Sequence, residues 1–290
     1  MSAAAGSSPL PFPFTLSGNL LRILSDVHFG DHASRVSRLP QLAPLLDGVN
    51  HLVLNGDTMD TRPGPHPAHT AACRREIGAY FSSRVPRVTC LTGNHDADFS
   101  SEHWLDLAGG RIFVIHGDVV FDDLVPWSQD APFIARRLTE EFQRLPPDHA
   151  GRLAERCAVF RRVALAIPQR HQSERNRLKY AAHFLADTVW PPLRLLRVFR
   201  AWREAPQRAA AFSRLHRPAA RFMIKGHTHR PGIWTMPDGL TVINTGSFCR
   251  PLGGLCVDLA ADTLVVRSIV ARGGEFRPGG AIATFGLAAG

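Results

Sequence analysis

Five apolar runs of strand length, each ending in a short polar island, constrain this 290-residue chain more than any other feature. Leu20–Leu24 leads to Asp26-Val27-His28, and His51–Leu54 leads to Gly56-Asp57-Thr58-Met59-Asp60. Val88–Leu91 leads to Gly93-Asn94-His95-Asp96, Ile112–Ile115 to His116-Gly117-Asp118, and Phe222–Ile224 to Gly226-His227-Thr228-His229. Short continuous apolar runs bounded by turn residues read as strands buried on both faces. Neighbouring strands bring the residues at their ends to one sheet edge, however distant those residues are in sequence. The islands pool imidazole nitrogens, carboxylates and one amide oxygen, a donor set suited to divalent first-row metals. A metal centre is the first chemical expectation.

The remaining pattern sets the organisation. Arg74–Ser83 reads as a crossover helix between the second and third runs, which predicts βαβ units in the first half. Pro63-Gly64-Pro65 and Pro67 read as an irregular loop ahead of it. From Ala131 to Pro218 the pattern is helical, divided at Pro146-Pro147, Pro168, Pro191-Pro192 and Pro206. Strands resume at Ile233–Met236, Leu240–Ile243, Leu255–Leu259 and Leu264–Ile269, with Asp238-Gly239 as a hairpin turn. The expected layout is a flexible tail over 1–18, then one domain over 19–272. That domain carries a helical insertion at about 131–218, and a loose Gly-rich tail follows over 273–290.

Charge separates the insertion from its scaffold. Between Pro126 and Lys225 there are 20 Lys/Arg against 8 Asp/Glu, whereas the rest of the chain has 14 against 17. A basic segment of this kind can face phosphates, anionic lipid or nucleic acid. Within Leu193–Arg203, a helical wheel at about 100° per residue puts Leu195, Val198, Phe199 and Trp202 on one side. Arg194, Arg197, Arg200 and Arg203 fall outside that stripe. The plain reading is a helix packing its apolar face on the core. The sharper reading is an interfacial helix at anionic lipid, or a cap whose arginines grip a diphosphate. No apolar run is long enough to span a membrane, and the N-terminus lacks the pattern of a secretory signal. Five cysteines with no Cys-x-x-Cys pair read as free thiols in a reducing cytoplasm.

Taken singly, the islands are weak evidence: a lone Asp-x-His, His-x-His or Asn-His-Asp is more often a turn or a core histidine. Five in order, each at a strand's end, are not plausibly accidental. Together they resemble the calcineurin-like metallophosphoesterase superfamily over Asp26 to about Ser247, the insertion excepted. The resemblance implies an α/β fold, a four-layer α/β/β/α metallophosphoesterase sandwich with a helical insertion. It implies a dinuclear, metal-dependent phosphohydrolase in which Asp26, His28 and His229 hold one ion, and Asn94, His116 and His227 the other. Asp57 bridges the two, as a carboxylate with two oxygens can. It implies that His95 serves the leaving-group oxygen, with Asp60 orienting it. Two divalent ions are the expected cofactors, manganese first, with iron or zinc as alternatives. Asp96 reads as structural, Asp118 as undecided, and Cys249 as a bystander thiol, since no island supplies it with a base partner. Ile243-Asn244-Thr245-Gly246-Ser247 is similar to the family's Asn-Pro-Gly-Ser loop, with Thr245 in place of proline.

The Arg-rich insertion and Gly226-His227-Thr228-His229-Arg230-Pro231 also resemble the UDP-2,3-diacylglucosamine diphosphatases. Members of that group usually carry arginine where this chain has His95, the arrangement of general phosphomonoesterases and phosphodiesterases. The expected substrate is accordingly a phosphorylated small molecule or a lipid-linked nucleotide, with peripheral contact at an anionic inner-membrane face. The alternatives are a general esterase acting on nucleotides or nucleic acid, and a non-catalytic scaffold of the same fold. Nucleic acid ranks lower, because the basic residues are interleaved with leucine and tryptophan on helices.

Overall fold

The computed structural model describes residues 19–287 apart from 126–127, 129, 150, 170–175, 177, 180–181 and 183–192. The expected N-terminal tail at 1–18 lies outside the described residues, as does the side chain of Arg194.

Two sheets face one another. The first has six strands in the order β11-β10-β9-β1-β2-β3, the second five in the order β4-β5-β6-β8-β7. In the first, β1 (Leu20–Leu24), β2 (Val49–Asn55) and β3 (Arg87–Leu91) run parallel. β9 (Leu255–Ala260), β10 (Thr263–Arg272) and β11 (Glu275–Gly286) extend that sheet antiparallel. In the second, β5 (Ile112–Ile115), β6 (Phe222–Lys225) and β8 (Thr241–Asn244) are parallel, with β4 (Trp104–Leu107) and β7 (Gly232–Thr235) antiparallel at the edges.

Alternation along each strand builds the layers. Ile23, Val53, Val114, Ile224, Ile243 and Val257 are buried together between the sheets. Leu24, Leu52 and Leu54 face the other way, onto Ile77 and Phe81 of α1 (Pro67–Arg84). Phe113, Met223 and Val242 face outward from the second sheet. They meet Ile134 of α2 (Ala131–Gln143), Phe160 of α3 (Leu153–Leu165) and Ala205 of α4 (Leu193–His216). The result is the α/β/β/α sandwich, and its strands read as unbroken apolar runs because both of their faces are covered.

Three expectations need correction. The C-terminal stretch is not a loose tail: Arg272 pairs with Glu275 across Gly273-Gly274, which have φ of 62° and 81°. Two consecutive residues at positive φ make the two-residue hairpin turn that glycine favours, so this Gly-Gly marks a strand reversal. Phe276 and Leu287 are buried in the core clusters. The helix α1 begins at Pro67, not Arg74, because a proline in the first turn lacks only an N–H that would be unbonded there. The wheel over α4 also placed the core face wrongly. Ala201, Ala205, Ala209 and Phe212 are buried, whereas within the expected stripe Phe199 is 58% exposed and Leu195, Val198 and Trp202 are only half-buried. Alanine at every fourth position lets the helix approach the sheet closely, which hydrophobicity alone does not reveal.

Candidate metal centre

The first three parallel strands of one sheet and two parallel strands of the other end at the same edge, and the five islands follow those ends directly. Backbone bonds then stitch the islands to one another. Asp26 N–H donates to Gly56 O (3.1 Å), His28 N–H to Asp57 O (2.9 Å) and Gly226 N–H to His116 O (2.8 Å). Among the described residues, eight non-glycine residues have positive φ. Five of them are Asp26, His28, Asp57, His227 and His229. A sixth, Leu124, presents its carbonyl to His227 Nε2 at 2.8 Å. Left-handed backbone costs about 1–3 kcal/mol per residue, and such strain clusters where function demands it.

Asp26, His28, Asp57 and His229 each offer a ligand atom to one group whose atoms lie within 4.8 Å of one another. His28 Nε2 faces His229 Nε2 at 3.1 Å, and His229 Nε2 lies 3.2 Å from Asp26 Oδ1. Burial, together with nearby His229 and His95, pushes His28 down to about 4, so its imidazole is neutral and able to coordinate. Gly226 lies so close beneath this group that a Cβ there would stand 2.1 Å from Asp26 Oδ2.

The second expected set adjoins the first through Asp57. Oδ2 of Asp57 is 3.8 Å from His28 Nε2 and 3.3 Å from His116 Nε2. His116 Nδ1–H donates to Asn55 O at 2.9 Å, which turns Nε2 toward the centre. That Nε2 is buried and makes no well-aligned hydrogen bond among the described residues. Burial opposes charge on His116, yet the Asp57 and Asp26 carboxylates raise it well above the ordinary histidine range. The pocket's own charges thus ask for a positive charge at that nitrogen. His227, held neutral by burial and by His116 and Lys225, donates Nε2–H to Leu124 O. Its Nδ1 then meets Asn94 Oδ1 at 2.8 Å, two acceptors in contact. A cation lying against both relieves that repulsion. The donor set therefore fits a pair of divalent ions.

His95 packs edge-on against His28, with ring centroids 5.0 Å apart. Its Nδ1 lies 3.1 Å from Asp60 Oδ2, the pairing expected from sequence. An unexpected third member joins them. Arg62 Nε donates to Asp60 Oδ1 (3.0 Å) and Nη2 to Oδ2 (2.6 Å), and Nη2 stands 2.9 Å from His95 Nδ1. Burial works against ionised Asp60, but the Arg62 charge and His95 hold its carboxyl well below the usual range. For His95, burial and Arg62 disfavour the imidazolium, while the Asp57 and Asp60 carboxylates prevail and raise it. The insertion reaches this loop too: Gln169 N–H donates to Pro63 O (2.7 Å) and its side-chain amide to Asp60 O (3.1 Å).

Asp96 has the structural part read from sequence. Its carboxylate accepts N–H bonds from Asp57 (2.9 Å), Thr58 (2.6 Å) and Gly93 (2.8 Å), locking the second and third islands together. Asp118 is buried at the start of a short 3-10 turn, Asp118–Val120, and burial pushes it up to about 6. Arg62 was not anticipated, and the reading of Cys249 as a thiol that no island supplies with a base needs correction, because His28 and His229 lie beside it. Arg62 carried one legible signal, its place two residues after Asp60. Cys249 carried none, because only folding sets its loop beside His28 and His229.

The helical insertion walls one side. Trp202 Nε1 donates to Thr228 O (2.8 Å), and Arg230 Nη1 to Trp202 O (3.0 Å), fixing α4 to the fifth island. Between α4, α2 and the loop at Phe121 lies a groove of about 590 Å³, with Pro132 and Ala201 on its walls and Arg197, Arg200 and Arg208 around it. Glu204 pairs with both Arg200 and Arg208, so much of that positive charge is compensated. Among the described residues, no helix is long and apolar enough to cross a membrane.

The model of the family described as calcineurin-like phosphoesterase matches residues 21–231. Comparison with curated proteins gave no match. Among solved structures, a dimetal phosphatase from Danio rerio is 16% identical, with 90% of this chain and 98% of that chain covered and a TM-score of 0.43. Vacuolar Protein Sorting 29 from Cryptosporidium parvum is 12% identical, with 93% and 99% covered and a TM-score of 0.40. A phosphoesterase-like protein from Streptococcus pneumoniae is 14% identical, with 92% and 97% covered and a TM-score of 0.36.

Proposed function

Because the chain belongs to the calcineurin-like phosphoesterase family, we propose that it hydrolyses a phosphoester or pyrophosphate bond with a pair of divalent metal ions. One observation carries the reading. Asp57 Oδ2 stands between His28 and His116, one histidine from each ligand set, where a shared carboxylate belongs. Asp26, His28, His229 and Asp57 would hold one ion, and Asn94, His116, His227 and Asp57 the other. When bound, such a pair supplies Lewis acidity toward phosphoryl oxygens and makes water a stronger nucleophile near neutral pH.

The chain's own groups do the rest. His95 donates a proton to the leaving oxygen, and its Nδ1 edge is held by Asp60 and Arg62. Asp60 only accepts, so Nδ1–H donates to it, and the imidazolium that Asp57 and Asp60 favour against burial carries its second proton on Nε2, the nitrogen turned away from the pair. α4, fixed over the fifth island by Trp202, limits access of water from that side.

A scaffold of the same fold has no need for seven converging donors or for five strained ligand residues. The deciding experiment is metal analysis of the purified chain, with turnover of a bis-aryl phosphate before and after chelation. Two equivalents of metal and chelator-sensitive turnover are expected. Metal-free, inactive protein that regains nothing with manganese, zinc or iron would support the scaffold instead.

The groove beside α4 favours an amphiphilic phosphoester over a bare sugar phosphate. Phe121, Pro132 and Ala201 offer apolar surface, while Arg197 lines it together with Asp122 and Asp123. Leu196 and Phe199, exposed on the same helix among arginines, suit contact with an anionic lipid surface. A substrate panel of UDP-diacylglucosamine, nucleotides and simple esters tests the first point. Flotation with anionic vesicles of L196S/F199S against the parent chain tests the second, and equal flotation would remove the lipid contact.

A further inference from the structure

The geometry points to Cys249 as an additional donor to the first metal, a thiol absent from all five islands, which tilts the centre toward zinc, iron or cobalt over manganese. This rests on the metal-dependent reading above. Cys249 is 5% exposed, and its sulfur, one ring nitrogen of His28 and one of His229 all lie within 4.8 Å of one another. Two ligands of one tetrahedral zinc ion, bonded at about 2.0–2.3 Å, stand roughly 3.3–3.8 Å apart. His28 and His229 also belong to the group with Asp26 and Asp57, so a sulfur moving in by about 1 Å joins the shell of the cation that those histidines would hold.

The backbone delivers the sulfur to this place. Phe248 N–H donates to Asp26 O at 3.1 Å, tying the residue before Cys249 to the first island. Cys249 N–H donates to Ser247 Oγ at 3.1 Å, and Cys249 forms an isolated antiparallel bridge with Ser34. Ser34 Oγ in turn donates to Val27 O at 2.6 Å, between two ligand residues. The Cys249 loop is thus bonded to the Asp26–His28 segment on both sides. Among the described residues, the other four cysteines share no such group.

The chemistry follows from ligand softness. With nitrogen and oxygen donors alone the site admits manganese, iron or zinc, and metal availability weighs in the choice. A thiolate binds zinc, iron and cobalt far better than manganese, whose preferred partners are carboxylate and water. On binding, the S–H bond breaks, the proton leaves to solvent and an S–metal bond forms, so metal uptake releases one more proton.

The test is X-ray absorption at the zinc edge of the full zinc-loaded chain, with the optical spectrum of the cobalt-loaded protein beside it. A sulfur neighbour at about 2.3 Å and a sulfur-to-cobalt charge-transfer band are expected. Both should vanish in Cys249→Ser, and zinc-over-manganese selectivity in competition dialysis should fall by at least roughly 10-fold. Should that variant fail to fold, the wild-type spectra decide alone. Wild-type protein holding two zinc ions with no sulfur neighbour overturns the Cys249 assignment and leaves the metal centre standing. A sulfur signal that survives in Cys249→Ser overturns it as well. Wild-type protein that binds no metal overturns both.

Discussion

His116 Nε2 stands 3.3 Å from Asp57 Oδ2, buried and without a well-aligned hydrogen bond, while its Nδ1–H is spent on Asn55 O. Against their burial, each charges the other: the Asp57 carboxylate raises His116, and His116 holds Asp57 well below the usual carboxylate range. Asp57→Asn keeps the shape and removes the charge both ions would share. Metal content by mass spectrometry should drop below two equivalents, and kcat should fall by about 10²–10³-fold or more, with the circular dichroism spectrum retained. Unchanged stoichiometry would show that Asp57 does not bridge.

Arg62 is a structural partner of Asp60 before it is anything else. Removing one side of a buried ion pair strands the other, at about 3–5 kcal/mol. Arg62→Ala should lower the urea midpoint accordingly. Arg62→Lys should recover little, because a lysine cannot make the two-pronged contact with Asp60. If the loop also holds His95, kcat should fall more than KM rises in both variants.

Two glycines sit against carboxylates. A Cβ at Gly93 would meet Asp57 Oδ1 at 2.3 Å, and one at Gly226 would meet Asp26 Oδ2 at 2.1 Å. Gly93→Ala and Gly226→Ala should each cost about 1–3 kcal/mol in stability and displace the ligand they touch. Zinc affinity by competitive chelation should weaken in both, more than in a Gly239→Ala control at the β7–β8 turn, where nothing lies within 4 Å.

His51 on β2 gives the fold an acid-sensitive component. Burial, aided by the Arg87 charge, pushes its imidazole down from 6.5 to about 4. The unfolded chain therefore binds the extra proton first, and stability falls as pH drops through the window from 6.5 to 4. The full difference corresponds to about 3 kcal/mol. His51→Gln keeps a hydrogen-bonding group opposite Thr89, whose hydroxyl lies 2.8 Å from His51 Nε2. Urea denaturation at pH 7 and pH 4.5 should show a smaller acid loss for this variant than for the parent chain. Equal losses would place the acid sensitivity elsewhere.

Where the sequence was legible, one short-range rule connected residue to structure. Apolar runs located β1, β2, β5 and β6, because strands covered on both faces must be largely apolar, and located β3, an edge strand fully buried only at Leu91. Asp238-Gly239 located the β7–β8 hairpin because few residues accept that turn. Where the same residue type serves two purposes, sequence misled. Gly273-Gly274 is a hairpin turn, although glycine is equally common in loose tails. Phe199 is exposed and Ala205 buried, because how closely α4 approaches the sheet decides burial, and hydrophobicity does not encode that distance.

The ordered islands by themselves determined the fold family and which residues the strands carry to the sheet edge, since strand ends and residue types are written locally. Only the tertiary structure decided who stands beside whom. Arg62 meets His95, Gln169 reaches the Asp60 loop, and Cys249 comes to His28 across more than two hundred residues of chain. Such pairings depend on how the two sheets stack and how loops cross between them. They are sums of many weak packing terms, and no short stretch of sequence carries them.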